Sequence, residues 1–292
     1  MEQLNMFGQT SLEDKVKRAI DRLRAFEPEE GYYLAFSGGK DSQCIYHLAK
    51  EAGVKFEAHY NLTTVDPPEL VQFIRKNYPD VIIEKPKKSM WRLIETKRMP
   101  PTRKFRYCCD VLKEGGGKGR IVVTGVRWAE SVKRKNNRAT YELLSSKMAD
   151  KKLMNDNDEA RRVFETCMKP DKHKRIVNPI IDWEDEDDWG YIKSRGIAYC
   201  SLYDEGFKRL GCIGCPLTGA DKMAKEFERW PKYRDSYLRA FKRMLDEIIR
   251  VEGEDGKMAT KWTSPEAVMD WFMNGSSQDN TLDDQIEMDE VD

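Results

Sequence analysis

Residues Tyr32 to Ser42, reading Tyr-Tyr-Leu-Ala-Phe-Ser-Gly-Gly-Lys-Asp-Ser, constrain this chain more than any other stretch. Five residues of strand character run straight into Ser37-Gly38-Gly39-Lys40-Asp41-Ser42. A helical pattern follows at once, with Cys44, Ile45, Leu48 and Ala49 on one face and Gly53 as its stop. Two glycines between a strand and a helix let the backbone approach a ligand closely, and the first N–H groups and positive dipole end of the helix favour an anion. Phosphate is the usual one. Ser37 and Ser42 add hydroxyls, Lys40 a mobile cation, and Asp41 a carboxylate suited to orienting the loop or meeting a metal ion. The loop lacks the spacing of a Walker A motif. The plain alternative is an ordinary strand-turn-helix corner that happens to hold two glycines.

Around this stretch, strand and helix patterns alternate. Ser11, Leu12, Val16, Ile20 and Leu23 predict an amphipathic helix ending near Pro28, so residues 1–28 form an N-terminal helical segment. Val54 to Tyr60 predicts a second strand, which empties into a polar loop ending at Asp66. In open α/β sheets ligands sit at that edge. Pro67-Pro68-Glu69 starts a helix, Val81-Ile82-Ile83 reads as a short buried strand, and Ser89 caps a helix carrying Trp91, Leu93 and Ile94. Lys97 to Arg106 is irregular and basic, either a solvated loop or one facing phosphate or sulfate. Gly115 to Gly119 reads as a hinge, and Ile121 to Val126 as an apolar strand leading to Arg127. This alternation predicts an α/β fold with a doubly wound, mostly parallel sheet.

Residues 29–220 form the nucleotide-binding α/β domain on this reading, interrupted at 132–175 by a charged insertion with a helix near Asp158 to Met168. Lys133, Arg134, Lys135 and Arg138 make a basic run there, either a solvated face or a nucleic-acid contact. Helices are expected over 221–275, with a break at Pro231 and a further start at Ser264-Pro265-Glu266. The acidic, nearly aromatic-free residues 276–292 are expected to be disordered.

Charged residues are 35% of the chain and cancel to a net charge of zero, so no global basic field draws it to nucleic acid or membrane. With no long apolar run and no signal-like start, a cytoplasmic location and no membrane partner are expected. Seven cysteines, an odd count, argue against a disulfide framework there. Cys108-Cys109 and Cys212-x-x-Cys215 give four thiolates in two pairs, enough for a tetrahedral zinc or an iron–sulfur cluster. Adjacent residues reach two different irons more naturally than two corners of one small ion, which favours the cluster. Scattered buried cysteines are the plain alternative, and Cys44, Cys167 and Cys200 read as packing residues.

The loop resembles the pyrophosphate-binding loop, Ser-Gly-Gly-x-Asp-Ser, of the PP-loop ATP pyrophosphatase superfamily. Its members bind ATP, activate a substrate oxygen by adenylation and release pyrophosphate. The combined pattern resembles the phosphoadenosine phosphosulfate reductase family, in the adenine nucleotide alpha-hydrolase-like branch of that superfamily. The likeness rests on Ser37 to Ser42, Arg106 to Lys113, Thr124-Gly125-Val126-Arg127 with Glu130-Ser131, Asn178-Pro179-Ile180 with Trp189, and Gly211 to Cys215. It implies a Rossmann-like domain, to which the helices expected over 221–275 add a C-terminal extension. It also implies a [4Fe–4S] cluster on Cys108, Cys109, Cys212 and Cys215 near the nucleotide, and Arg127 facing that nucleotide. Two departures matter. The reductases attack with a cysteine near the C-terminus, and this sequence has none after Cys215. The Ser-Gly-Gly-Lys-Asp-Ser form is that of ATP-using members, including the small subunit of ATP sulfurylase and the DNA phosphorothioation enzymes.

The leading expectation is therefore an enzyme that cleaves ATP with Mg²⁺ to AMP and pyrophosphate, activating an acceptor for sulfur or adenylyl transfer. The acceptor is open, and includes DNA or tRNA. Lys40, Asp41 and Arg127 are the expected catalytic residues. Ser37, Gly38, Gly39, Lys40, Asp41, Ser42, Asp66, Lys113, Gly125 and Arg127 are the expected nucleotide contacts. The alternatives are a sulfonucleotide reductase that uses an external thiol and a non-catalytic nucleotide-binding regulatory subunit. Beyond the adenine nucleotide, a nucleic acid, a sulfur-donor protein and a second copy of the chain are the partner classes left open, with zinc as the alternative to the cluster.

Overall fold

Residues 10–145, 152–154, 173–252, 260 and 262–275 are described by the structure, a computed structural model. The apolar run after Gly31 becomes β1 (Tyr32–Ala35), whose Tyr32, Tyr33 and Leu34 are all buried. Strands buried on both faces read as continuous apolar runs, and β1 is one. It pairs in parallel with β2 (Phe56–Asn61) on one side and β4 (Ile121–Val123) on the other. Outside β2 lies β3 (Ile82–Glu84), and outside β4 lies the parallel β7 (His173–Val177). β5 (Tyr141–Ser145) then runs antiparallel to β7, and β6 (Lys152–Met154) antiparallel to β5. The seven strands follow the order β3-β2-β1-β4-β7-β5-β6, an α/β sheet that is mostly parallel, as expected. From β1 the chain winds outward one way through β2 and β3, then returns to the other side of β1 with β4. The order thus reverses between β1 and β4, and in open sheets a ligand crevice lies beyond the strand ends at such a point.

Two compact units emerge from the contacts. The first takes Met1–Tyr60, Pro68–Glu84 and Gly116–Leu210, and the second Asn61–Pro67, Lys85–Gly115 and Gly211–Asp292. In the first, Ser11 caps α1 (Leu12–Ala25) by accepting the Asp14 N–H, and Val16, Ala19 and Leu23 are buried. α1 packs on α2 (Lys40–Ala52), which ends at Gly53 with φ +71°, and both pack on α7 (Asp185–Ser194). Arg22 of α1 is buried, donating to the Pro179 carbonyl and to Asp182, each at 2.7 Å. α3 (Pro68–Asn77) buries Leu70 and Ile74.

The second unit holds α4 (Met90–Lys97), α5 (Tyr107–Leu112), α8 (Ala220–Arg229), α9 (Pro231–Glu252) and α10 (Pro265–Asp270). Ser89 and Ser264 cap α4 and α10, and the break between α8 and α9 falls at Pro231, as expected. Its core is aromatic: Trp91, Phe227, Phe241 and Phe272 surround fully buried Tyr237, with ring centroids 5.0 to 5.9 Å away. None of the described helices is long and apolar enough to cross a membrane.

Three expectations change in detail. Val81 is buried, but the strand that follows it is an edge strand, and Ile82 is 42% exposed because no strand covers it. The strand expected over Ile121–Val126 ends at Val123, where the chain turns out of the sheet toward Arg127. Within 132–175 the structure forms α6 (Val132–Asn137) and contributes β5, β6 and the start of β7, with Tyr141 and Leu143 in the core. The helix expected near Asp158 to Met168, Cys167 and the acidic tail lie outside the described residues.

Candidate functional site

The loop after β1 is set by its first glycine. Gly38 has φ +73°, and a side-chain carbon built there would lie 2.7 Å from Ile74 Cδ1 and 2.8 Å from Leu70 Cδ1 of α3. Both backbone and packing therefore demand glycine. Gly39 differs: it caps α2 in an extended conformation, and an added carbon would meet Ser37 Oγ and Tyr203 Oη at an ordinary 3.5 Å. The fold itself does not need glycine at this position, which suits a backbone that a ligand must approach closely. Ser42 Oγ donates to the Gly39 carbonyl at 2.8 Å, and Ser37 Oγ donates to Ser42 Oγ at 3.1 Å. The first turn of α2 is also less bare than its sequence suggests. The Lys40 N–H donates to the Tyr203 hydroxyl at 2.8 Å.

The loop after β4 presses on the same turn. A side-chain carbon at Gly125 would meet the Asp41 carbonyl carbon and oxygen at 3.0 Å, so Gly125 permits this approach. Two residues on, Arg127 is 2% exposed and donates from Nε to Asp41 at 2.6 Å and from Nη2 to Asp185 at 2.6 Å. Lys40 is also buried. Its Nζ reaches Asp188 at 2.8 Å, Asp185 at 2.9 Å and Asp41 at 3.1 Å. Arg127 Nε lies 3.1 Å from Asp188 as well. Lys40 is therefore not the mobile cation its sequence position suggested but one member of a buried ionic group with Arg127 and three carboxylates.

The charges explain the titration of the group. Burial pushes the Asp188 carboxyl up to about 8, assisted by the neighbouring Asp41 charge and opposed by Lys40 and Arg127. Burial acts in the same sense on Asp41, but Lys40 and Arg127 outweigh it and hold that carboxyl below its ordinary range. Hydrogen bonds from Lys40 and Arg127 keep Asp185 low. Burial disfavours the Lys40 ammonium, yet Asp188 and Asp41 more than compensate and raise its pKa. One retained proton leaves two negative charges against two positive ones, so the buried group is neutral. A hydrogen bond from Asp188 also helps to keep Asp41 low, which is consistent with the proton residing on Asp188.

The second unit gathers the paired cysteines. Cys108 and Cys109 lie in the first turn of α5, and Cys212 and Cys215 bracket a tight turn. Gly214 in that turn has φ +71°, and an added carbon would lie 2.8 Å from Phe227 Cζ and 3.0 Å from Tyr237 Cε2. The Gly214 N–H donates to buried Glu226 at 2.9 Å, the Ile213 N–H to the Val65 carbonyl at 2.8 Å, and Tyr237 Oη to the Ile213 carbonyl at 3.0 Å. The turn is thus clamped on every side. The four thiols feel one another: a hydrogen bond to Cys109, burial, and the charges of Cys109, Cys212 and Cys215 all push the Cys108 thiol up. The same hydrogen bond brings Cys109 down to about 6, against burial and with help from Lys113 and Arg106.

Among the described residues, no group of three or more His, Cys, Asp or Glu is placed to hold a metal ion. Cys44 and Cys200 are buried in packing, as expected.

The expected site residues therefore sort into two sets. Ser37 to Ser42, Gly125 and Arg127 form the loop group of the first unit. Asp66 and Lys113 belong with the cysteines of the second. Asp66 accepts the Thr63 N–H at 2.7 Å, a cap that shapes its loop, while Thr63 Oγ1 accepts from the Cys212 thiol at 3.4 Å. The Lys113 ammonium pKa is raised chiefly by Cys212, then by Asp66 and Cys109. Sequence reasoning missed Asp185, Asp188 and Tyr203. The one available signal was Trp189, already part of the motif, which sits beside Asp188 and stacks edge-on with Tyr203 at 4.9 Å.

Strand order, loop and buried ion group define an open α/β protein with a glycine loop at its topological switch point. The model of the phosphoadenosine phosphosulfate reductase domain matches residues 31–218, and the chain belongs to that family. The family is one of nucleotide-binding, sulfonucleotide-related enzymes. Among curated relatives, an uncharacterized protein of Methanocaldococcus jannaschii is 26% identical over 82% of this chain and 59% of its own length. A second from that organism is 24% identical over 78% of this chain and 45% of its own. The chain thus spans about half the length of these relatives. An adenosine 5'-phosphosulfate reductase of Geobacillus kaustophilus is 33% identical over 27% of this chain and 34% of its own. Among solved structures, the phosphoadenylyl-sulfate reductase of Candida auris, a phosphate complex, aligns with a TM-score of 0.44 and 15% identity, over 73% of this chain and 98% of its own.

The retained proton has a measurable consequence. Unfolded Asp188 titrates near its ordinary 3.8, and folded Asp188 near 8, so between those values the native chain holds the extra proton. Stability from this source is complete at the acid end and is lost as pH rises toward about 8. Urea unfolding from pH 4 to 9 should show that decline in the wild type, and Asp188→Asn should flatten it. Equal slopes for the two proteins would contradict the assignment.

Proposed function

We propose that this chain binds ATP with Mg²⁺ at Ser37–Ser42 and cleaves it to AMP and pyrophosphate, activating an acceptor for sulfur or adenylyl transfer. The observation that carries this reading is the loop itself: a glycine-bearing turn at a switch point, open at Gly39, with Lys40 and Arg127 held beside it. Backbone N–H groups of the α2 terminus and these two cations would meet the charge that the leaving pyrophosphate gains in the transition state. Asp41 and Asp188 hold both cations in place, so little reorganisation is needed when that charge develops. Magnesium, when bound, supplies further neutralisation of the phosphates. Cys108, Cys109, Cys212 and Cys215 would hold a [4Fe–4S] cluster, which when bound supplies sulfur or electron chemistry.

An acceptor with a phosphate backbone, DNA or tRNA, suits the basic run on α6. Arg134 and Arg138 there pair with Glu130 and Glu142, but Lys133 and Lys135 are exposed. Such binding would weaken with salt. A second reading, reduction of a sulfonucleotide with an external thiol, is favoured by the partial likeness to adenosine 5'-phosphosulfate reductase.

Product analysis separates the two. Incubation with ATP, Mg²⁺ and candidate acceptors should release AMP and pyrophosphate, and Lys40→Ala should lower that rate by about 100-fold, the scale of losing one transition-state charge contact. Sulfite release from an adenylylsulfate and a thiol, without pyrophosphate from ATP, would select the second reading. Tight ATP binding with neither product would select a regulatory subunit. Anaerobic purification should give a brown protein with about four irons and matching sulfide per chain, lost in Cys212→Ala. A colourless protein with one zinc would overturn the cluster.

A further inference from the structure

The three carboxylates around Lys40 and Arg127 differ in exposure. Side-chain exposure is 0% for Asp188, 26% for Asp41 and 67% for Asp185. Asp188 is fully enclosed, and Asp41 is held by both Lys40, at 3.1 Å, and Arg127, at 2.6 Å. Asp185 is the first residue of α7 and reaches the cations from the solvent side. One oxygen does all of its work. Asp185 Oδ1 accepts from Lys40 Nζ at 2.9 Å and from Arg127 Nη2 at 2.6 Å. A single anionic oxygen bridging an ammonium and a guanidinium is also how a phosphoryl oxygen binds such a pair.

We infer that Asp185 occupies the seat of a phosphate oxygen between Lys40 and Arg127 in the ligand-free protein, and that a polyphosphate binds by displacing it. This rests on the proposed use of the loop for polyphosphate. The exchange trades one bridging oxygen for another, while Asp41 and Asp188 keep both cations aimed. The cations are never stripped of a partner, which in a buried site would be costly. The exposed carboxylate also sets a threshold. A singly charged anion meets an equal competitor already tethered in place, whereas a polyphosphate brings more charge and the loop's N–H groups besides.

Calorimetric titration of the full chain with inorganic pyrophosphate, and with ATP and Mg²⁺, tests this. Asp185→Asn should bind pyrophosphate about tenfold tighter than the wild type, the scale of releasing two partly exposed charge contacts. Asp185→Ser, which also suits a helix start, should do the same. Asp187→Asn, in the same helical turn but paired with Lys15, should leave affinity unchanged. Equal or weaker binding by both Asp185 variants, with the wild type binding normally, overturns this inference and leaves the polyphosphate reading standing. Failure of every protein, wild type included, to bind pyrophosphate or ATP overturns that reading, and the inference with it.

Discussion

Two buried cations, Lys40 and Arg127, shared among three aspartates, hold this architecture's functional corner together. Three segments far apart in sequence meet there: the turn after β1, the turn after β4 and the start of α7. Burying a cation is costly unless it is paired and hydrogen-bonded, and removing one partner of a buried pair is worse than never having built it. A fully buried Asp188 answers both cations from beneath, and Asp185 answers them from the solvent side. Charge balance then decides protonation, and one proton on the Asp188 side makes the whole group neutral.

The cysteine-bearing unit follows a different principle. Its Cys-x-x-Cys turn rests on an aromatic core and is fixed by three backbone hydrogen bonds, two of them to buried side chains, Glu226 and Tyr237. Gly214 is required because two aromatic rings occupy the space a side chain would take. The backbone that carries Cys212 and Cys215 is thus set by packing and by hydrogen bonds.

Much of this was legible in the sequence because it is local. The strand-loop-helix at Tyr32–Ser42 announces itself through periodicity and paired glycines, and the serine caps at Ser11, Ser89 and Ser264 mark their helices within a single turn. Each cysteine pair was visible in the spacing, but only the fold brings the two pairs near each other. What stayed hidden is non-local. Asp185 and Asp188 sit in an acidic run, Asp182 to Asp188, that reads as a solvated helix start, since acidic residues are ordinary there. Only the fold brings that run to Lys40, nearly half the chain away. Tyr203 is hidden for the same reason, as its hydroxyl takes a backbone N–H that the sequence leaves free for a ligand. β5 escaped because a charged residue, Glu142, stands between Tyr141 and Leu143, yet it is buried and held by bonds from Arg138 and Asn178 that no local pattern reveals.

The most direct test is a crystal structure of the full chain with a non-hydrolysable ATP analogue and Mg²⁺. The account predicts the polyphosphate lying along the backbone from Gly38 to Ser42, its oxygens within hydrogen-bonding distance of the α2 terminus. Phosphates bound elsewhere, with that loop bare and unchanged, would contradict it.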